Sequence, residues 1–200
     1  MKTLKKLVFL RFSSLGDIAI SIPIIRCFLS KYPDTSITFV TKKNFAPLFD
    51  EFKDIDILEL DYNDRHNGLK GLFALYRDIK ELDPIGIVDL HGSLRTNILR
   101  LFFFFSSIRY KKILKGRVEK RALTRKNNKI WSPLTPTIHR YVDVLRKIGF
   151  PVDLSEHEFP IKFIMPKRFN DSFFNSKLKW IGIAPFAKHA GKVYPFDLTQ

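Results

Sequence analysis

The sequence predicts an α/β protein whose sheet is mostly parallel, with helices on both faces. Three observations predict it. Apolar or β-branched runs alternate with segments of helical apolar period along the chain, which implies βαβ crossovers. The first run, Leu7–Leu10, is apolar without alternation, as in a strand covered on both faces. Breakers fall between the periodic segments: Asp83-Pro84 stops one helix before the next strand, and Gly149-Phe150-Pro151 ends another.

The elements follow in chain order. Leu4–Leu10 is the first strand; Gly16 then permits a tight turn, and Asp17 opens an amphipathic segment, Ile18–Lys31. Ser36–Thr41 and Ile55–Leu60 supply the next two strands. Gly68–Leu82 is a helical pattern, Ile85–Leu90 a fourth strand, and Ser93–Phe105 and Thr137–Gly149 two further helices. Around Pro151–Ser176 the regularity falters: residues 158–163 read as an edge strand or linker, and Pro166 starts a polar helical segment. A fresh strand at Trp180–Ala184 leads into a loop ending at Lys192. One strand and one loop bury no core, so a second domain is only begun. The expected division is a domain over 1–150, a linker over 151–178 and the start of another domain over 179–200.

Composition narrows the class. With 200 residues and 45 % hydrophobic content, the chain has a real core and is not disordered. Its one cysteine, Cys27, excludes an internal disulfide framework and fits a reducing compartment. Lys2, Lys5 and Lys6 before Leu7–Leu10 imitate a signal peptide, but Arg11 ends the apolar run too soon. No segment approaches the roughly 20 apolar residues of a membrane span, and a cytoplasmic protein is expected. The formal charge is +15 and uneven: from His91 to Arg140 there are 13 Lys or Arg and one acid, Glu119, with ten of the cations between Arg109 and Lys129. Such a block attracts a polyanion, whether nucleic acid, an anionic membrane or a phosphorylated substrate.

Candidate chemistry gathers where strands give way to helices, because ligands of open α/β sheets bind outside the carboxyl ends of the strands. Asp17 stands there as a carboxylate placed to meet a substrate, or alternatively as a helix cap. Asp89-Leu-His-Gly-Ser-Leu-Arg95 repeats the logic: Gly92 turns the chain, Ser93 can cap a helix, and Arg95 beside that helix start suits an anion. His91 is either ligand-facing or a core histidine bonded to backbone. Lys188-His-Ala-Gly-Lys192 puts two cations about a flexible residue; Lys192 balances a diphosphate or is a surface lysine. It lacks P-loop spacing, and no dinucleotide glycine fingerprint occurs. Asp54-Ile-Asp56 imitates a metal motif but opens a strand at the opposite end, and neither the five histidines nor one cysteine has metal-ligand spacing. Phe102–Phe105 reads as core packing, or as an apolar helix resting on a membrane.

Taken together, Arg11-Phe-Ser-Ser-Leu-Gly-Asp-Ile18 with Pro23, Lys31-Tyr-Pro-Asp34, Val88-Asp-Leu-His-Gly-Ser-Leu-Arg95, His139-Arg-Tyr-Val-Asp-Val-Leu145, Ile183-Ala-Pro185 and Lys192-Val-Tyr-Pro195 resemble glycosyltransferase family 9, the lipopolysaccharide heptosyltransferases. The resemblance runs in order over essentially the whole chain. It implies a GT-B architecture of two Rossmann-like domains, the N-terminal one binding the lipopolysaccharide acceptor and the C-terminal one ADP-heptose. It further implies inversion at the anomeric carbon without a metal or other cofactor. Asp17 would be the general base and Lys192, with Lys188, would contact the donor diphosphate. Arg11, Ser13, Ser14, His91 and Arg95 would face the acceptor, whose phosphates and acidic sugars account for the basic block. The loop Phe186–Gly191 departs from the family in lacking its Thr/Ser-rich run. The partners implied are lipopolysaccharide core, a nucleotide sugar and the anionic inner face of the inner membrane, with no nucleic acid. The 200-residue chain alone is not expected to transfer sugar. Rival readings are another GT-B transferase with a different donor, a lipopolysaccharide binder without turnover, and a non-catalytic nucleic-acid-binding module using Arg109–Lys129, although no nucleic-acid motif appears.

Overall fold

The structure is a computed structural model, and it describes residues 5–158, 181, 183–187, 190–195 and 198. The chain divides into two compact units, residues 1–159 and 160–200. In the first, five strands form one sheet: β1 (Lys5–Leu10), β2 (Thr35–Thr41), β3 (Ile55–Glu59), β4 (Gly86–Asp89) and β5 (Arg109–Lys112), in the order β3-β2-β1-β4-β5. Every pairing is parallel. The helices are α1 (Leu15–Ala19), α2 (Ser21–Lys31), α3 (Gly68–Glu81), α4 (Leu94–Phe102), α5 (Arg117–Thr124) and α6 (Thr137–Ile148), with a 3-10 helix at Lys43–Phe49.

Alternation along β1 splits the core in two. Leu7 and Phe9 join Ile24, Phe28 and Val144 in a cluster built from α2 and α6. Val8 and Leu10 join Leu75, Ile79 and Leu99 in the other, built from α3 and α4. Leu7–Leu10 are thus buried from both sides, which is why the run shows no polar alternation. Phe9 anchors the first cluster, its ring 5.9 Å from Phe28 and 6.3 Å from Phe39.

Four expectations change. The helix expected over Ile18–Lys31 is two helices broken at Ile20. Pro23 cannot donate to the carbonyl of Ala19 and its ring crowds that carbonyl; at the same break the Ser21 hydroxyl donates to the neighbouring carbonyl, Ile18 O, at 2.6 Å. Gly16 does not make the turn: the left-handed residue is Ser14, at φ 69°. The strand β5 and the helix α5 were not expected, because Arg-Tyr-Lys-Lys has no apolar run and α5 buries none of its residues. Finally, α4 stops at Phe102, and of the phenylalanine run Phe103 is core while Phe104 and Phe105 are exposed.

Two helix boundaries are as expected. Ser93 caps α4 in a reciprocal box with Thr96, and Gly149 closes α6 at φ 97°. In the second unit the described residues include a short 3-10 turn, Ala190–Lys192. The segment 159–179 and residues 180 and 182 of the strand expected at 180–184 lie outside the described residues, and its described members, Ile181, Ile183 and Ala184, are in no strand. Among the described residues no helix is long and apolar enough to cross a membrane.

Candidate active site

Because all five strands are parallel, their carboxyl ends share one edge. From β1 the chain turns toward β2 on one side, and from β4 toward β5 on the other. The β1–β4 boundary is therefore the switch point where a crevice opens at the strand ends. The loops after β1 and β4 flank it, and they carry six of the expected site residues.

After β1, Arg11 is buried. Its Nη1 donates to Leu90 O at 3.1 Å, tying the two loops together. Its Nη2 donates to the Asp17 carboxylate. Asp17 therefore does not cap α1, which has no side-chain cap bond; its side chain is 35 % exposed, against 9 % for that of Arg11. A carboxylate held by a buried guanidinium and still open to solvent is fixed in direction and reachable by a substrate. The Asp17 carbonyl in turn accepts from the Tyr141 hydroxyl of α6 at 3.4 Å. Burial pushes that phenol up to about 12, so it remains a donor at neutral pH. Between Arg11 and Asp17, Ser13 is half-buried and Ser14 exposed. The positive φ of Ser14 is unfavourable for a residue with a Cβ, and such strain clusters at functional loops. A Cβ added at Gly16 meets no atom within 4 Å, so packing does not demand glycine there.

The β4 loop is organised by Asp89, which is fully buried. Its Oδ1 accepts from the backbone N–H groups of His91 at 2.9 Å and Gly92 at 2.8 Å, and its Oδ2 from the Tyr110 hydroxyl at 3.3 Å. Burial raises the Asp89 pKa against the pull of those bonds. Gly92 must be glycine: its φ is 53°, and a Cβ would lie 2.8 Å from Ile113 and 3.2 Å from the Lys115 side chain. The His91 ring packs on Phe12 with centroids 5.0 Å apart. Burial, then the charges of Arg11 and Lys115, lower its pKa to about 4; His91 is a neutral imidazole at pH 7. Arg95 lies over the Tyr62 ring at 4.3 Å, and Lys42 over the same ring at 5.2 Å. Arg11 Nε, His91 Nδ1 and Arg95 Nη1 are buried without a hydrogen-bond partner among the described residues, as are the Thr38 and Thr41 hydroxyls of β2.

The structure thus brings Arg11 into contact with Asp17 and His91 close to Arg11 at this edge of the sheet; Ser13 and Ser14 lie on the same β1 loop, and Arg95 lies a step further on beside Tyr62. Lys192 is exposed and belongs to the second unit; Lys188 lies outside the described residues. Sequence reasoning missed four contributors. Asp89, Tyr110 and Tyr141 hold the loops, and Lys115 adjoins the crevice. Lys115 is lowered in pKa by burial first and then by Arg11 and Arg117; in the sequence it is one cation among ten. A groove of about 370 Å³ runs beside it, lined by Gly92, Asn97, Lys112, Lys115 and Arg117. Asp54 and Asp56 lie at the start of β3, the edge away from the crevice. Among the described residues no three His, Cys, Asp or Glu side chains converge as a metal site needs.

This is a parallel α/β domain with a guanidinium-clamped carboxylate at its switch point. The chain is 25 % identical over 193 residues to the lipopolysaccharide core heptosyltransferase OpsX of Haemophilus influenzae, covering 94 % of this chain and 53 % of that protein. A crystal structure of a glycosyl transferase family 9 protein from Veillonella parvula shares the fold at a TM-score of 0.53, with 21 % identity over 80 % of this chain and 46 % of the other. Heptosyltransferase WaaC of E. coli with ADP aligns at a TM-score of 0.49 and 11 % identity, over 76 % of this chain and 50 % of that one. No family model matches the sequence. By sequence the chain resembles the N-terminal portion of family 9 heptosyltransferases. It spans about half the length of the curated relative it matches.

Proposed function

We propose that this chain is the acceptor-binding portion of an inverting glycosyltransferase of GT-B architecture. The whole enzyme moves heptose from ADP-heptose to an inner-core sugar of lipopolysaccharide. The observation that supports it most is the Asp17 carboxylate, directed by Arg11 and open to solvent at the β1–β4 switch point. In this reading an acceptor hydroxyl binds against Asp17. As its oxygen attacks the anomeric carbon from the face opposite the nucleotide, the hydroxyl proton passes to the carboxylate. The new C–O bond forms, the bond to the diphosphate breaks, and ADP leaves with that electron pair. A base in hydrogen-bond reach contributes roughly 10²–10⁴-fold.

The surroundings assign the other roles. Neutral His91 offers a hydrogen bond without repelling the cations beside it. Arg95 and Lys115 attract the phosphates or carboxylates of the acceptor. Lys192, with Lys188, meets the leaving diphosphate as point charges in the second domain. No metal or other cofactor is assigned a role. The enzyme works on the cytoplasmic side, peripheral to the inner membrane that presents the acceptor.

The test uses the full-length protein, ADP-heptose and a heptose-deficient core oligosaccharide. Acceptor-dependent ADP release is expected, falling roughly 10³-fold in Asp17→Ala while acceptor binding persists. Release undiminished in that variant would remove Asp17 as the base. No release by folded wild type would remove the donor assignment.

A further inference from the structure

Between β5 and α6 the chain leaves the core. Over residues 113–136 the one buried side chain is Ile113, and α5 buries nothing. The excursion is nevertheless rich in apolar surface. Leu114 is 61 % exposed, Val118 78 %, Ile130 54 % and Trp131 80 %. From Lys115 to Lys129 stand seven lysines and arginines against one acid, Glu119. None of these cations pairs with a carboxylate among the described residues. Lys129 and Trp131 combine both characters, the ammonium lying 5.7 Å from the ring.

Charge and apolar exposure together select the occupant. An unneutralised cationic surface requires an anionic partner. Bulky apolar side chains beside the cations favour one with an apolar phase beneath its charges, which nucleic acid does not offer. An anionic phospholipid bilayer has both. We infer that residues 114–131 form an interfacial element that docks on such a bilayer. Leu114, Val118, Ile130 and Trp131 enter the headgroup boundary and the arginines and lysines hold lipid phosphates. This deepens the peripheral placement proposed above and rests on it only in choosing a bilayer over another polyanion. Position gives the docking a use. The Lys115 side chain lies against Gly92 of the β4 loop, so the docked segment adjoins the crevice and brings it to the headgroups. The exposed pair Phe104–Phe105 precedes β5 at the opposite edge of the sheet, where docking would turn the crevice away.

The experiment is co-sedimentation with vesicles of phosphatidylcholine alone and of equal parts phosphatidylcholine and phosphatidylglycerol, without nucleotide or saccharide. The chain partitions onto the anionic vesicles, is released by salt, and ignores the neutral ones. Arg121→Gln/Arg125→Gln lowers partitioning roughly 30-fold, and Val118→Ser/Trp131→Ser roughly tenfold. Both variants keep the wild-type circular dichroism spectrum, since neither touches the core. The inference is overturned by equal binding to both vesicles, by variants that bind as wild type, or by loss confined to Phe104→Ser/Phe105→Ser. A chain that ignores vesicles but binds a single-stranded oligonucleotide through the same arginines overturns it too. Failure of sugar transfer leaves the vesicle result standing, because no sugar enters the readout.

Discussion

The crevice at the β1–β4 boundary and the excursion over 113–136 adjoin each other, yet they are built in opposite ways. At the crevice, loops are fixed by bonds that cross the fold: Arg11 to Leu90, Tyr110 to Asp89, Tyr141 to the backbone of Asp17. Over 113–136 the bonds are mostly local, such as Thr124 to Lys120 O and Arg125 to Asn128 O, and apolar side chains face outward. The difference is what the two proposed roles would require. Proton transfer needs a carboxylate held within tenths of an ångström, whereas adsorption to a fluid surface needs area and charge with little geometry.

Substitutions can break or sharpen this contrast. The largest effect is expected at Asp89. Asp89→Ala leaves two backbone N–H groups buried without their acceptor and should cost about 3 kcal/mol in urea unfolding. A cost under about 1 kcal/mol would mean the β4 loop is not held from within.

Acid comes next. His91 titrates at about 4 in the folded chain against its ordinary 6.5. Between those values the unfolded chain binds the proton and the folded one does not. The contribution is complete above pH 6.5 and drains away as pH falls toward 4. Allowing for partial solvent screening, it amounts to about 2 kcal/mol. Chemical denaturation of wild type and His91→Asn across that range isolates it from Asp89, whose raised pKa acts with the opposite sign. Parallel curves would show that the imidazole is not buried as described.

A smaller effect of reversed sign is expected at Ser14. Ser14→Gly relieves a left-handed residue and should stabilise the fold by about 1 kcal/mol, while loosening the loop that aims Asp17. Thermal melts read the first consequence, and a lowered rate of the proposed sugar transfer by the full-length protein the second. The smallest effect belongs to the excursion. Trp131→Ser should change stability by less than about 0.5 kcal/mol, and a larger loss in urea titrations would place Trp131 in a core.

The sequence carried much of the crevice because a parallel sheet brings every carboxyl end to one edge. Once Leu7–Leu10 and Ile85–Leu90 read as parallel strands, Asp17, His91 and Arg95 had to lie along that edge. It could not say what Asp17 touches. A helix cap and a carboxylate left open to solvent look alike in sequence, and only the contact with Arg11 shows that Asp17 is not the cap. Nor did it show Tyr62 under Arg95, since that contact depends on how the β3 and β4 loops lean together.

By itself, then, the amino-acid order determined the strand–helix alternation, the buried apolar runs, the caps at Ser93 and Gly149, and the basic block. These are local properties, written in side-chain period and backbone preference within a few residues. Tertiary structure decided the rest: β5, whose polar residues form a strand only because β4 offers a free edge; the break at Ile20; and the clamp of Arg11 on Asp17. It also decided the union of the two loops through a bond spanning 79 residues. Such contacts follow from strand order, and strand order is set by which faces must be buried together, a condition no local window of sequence contains.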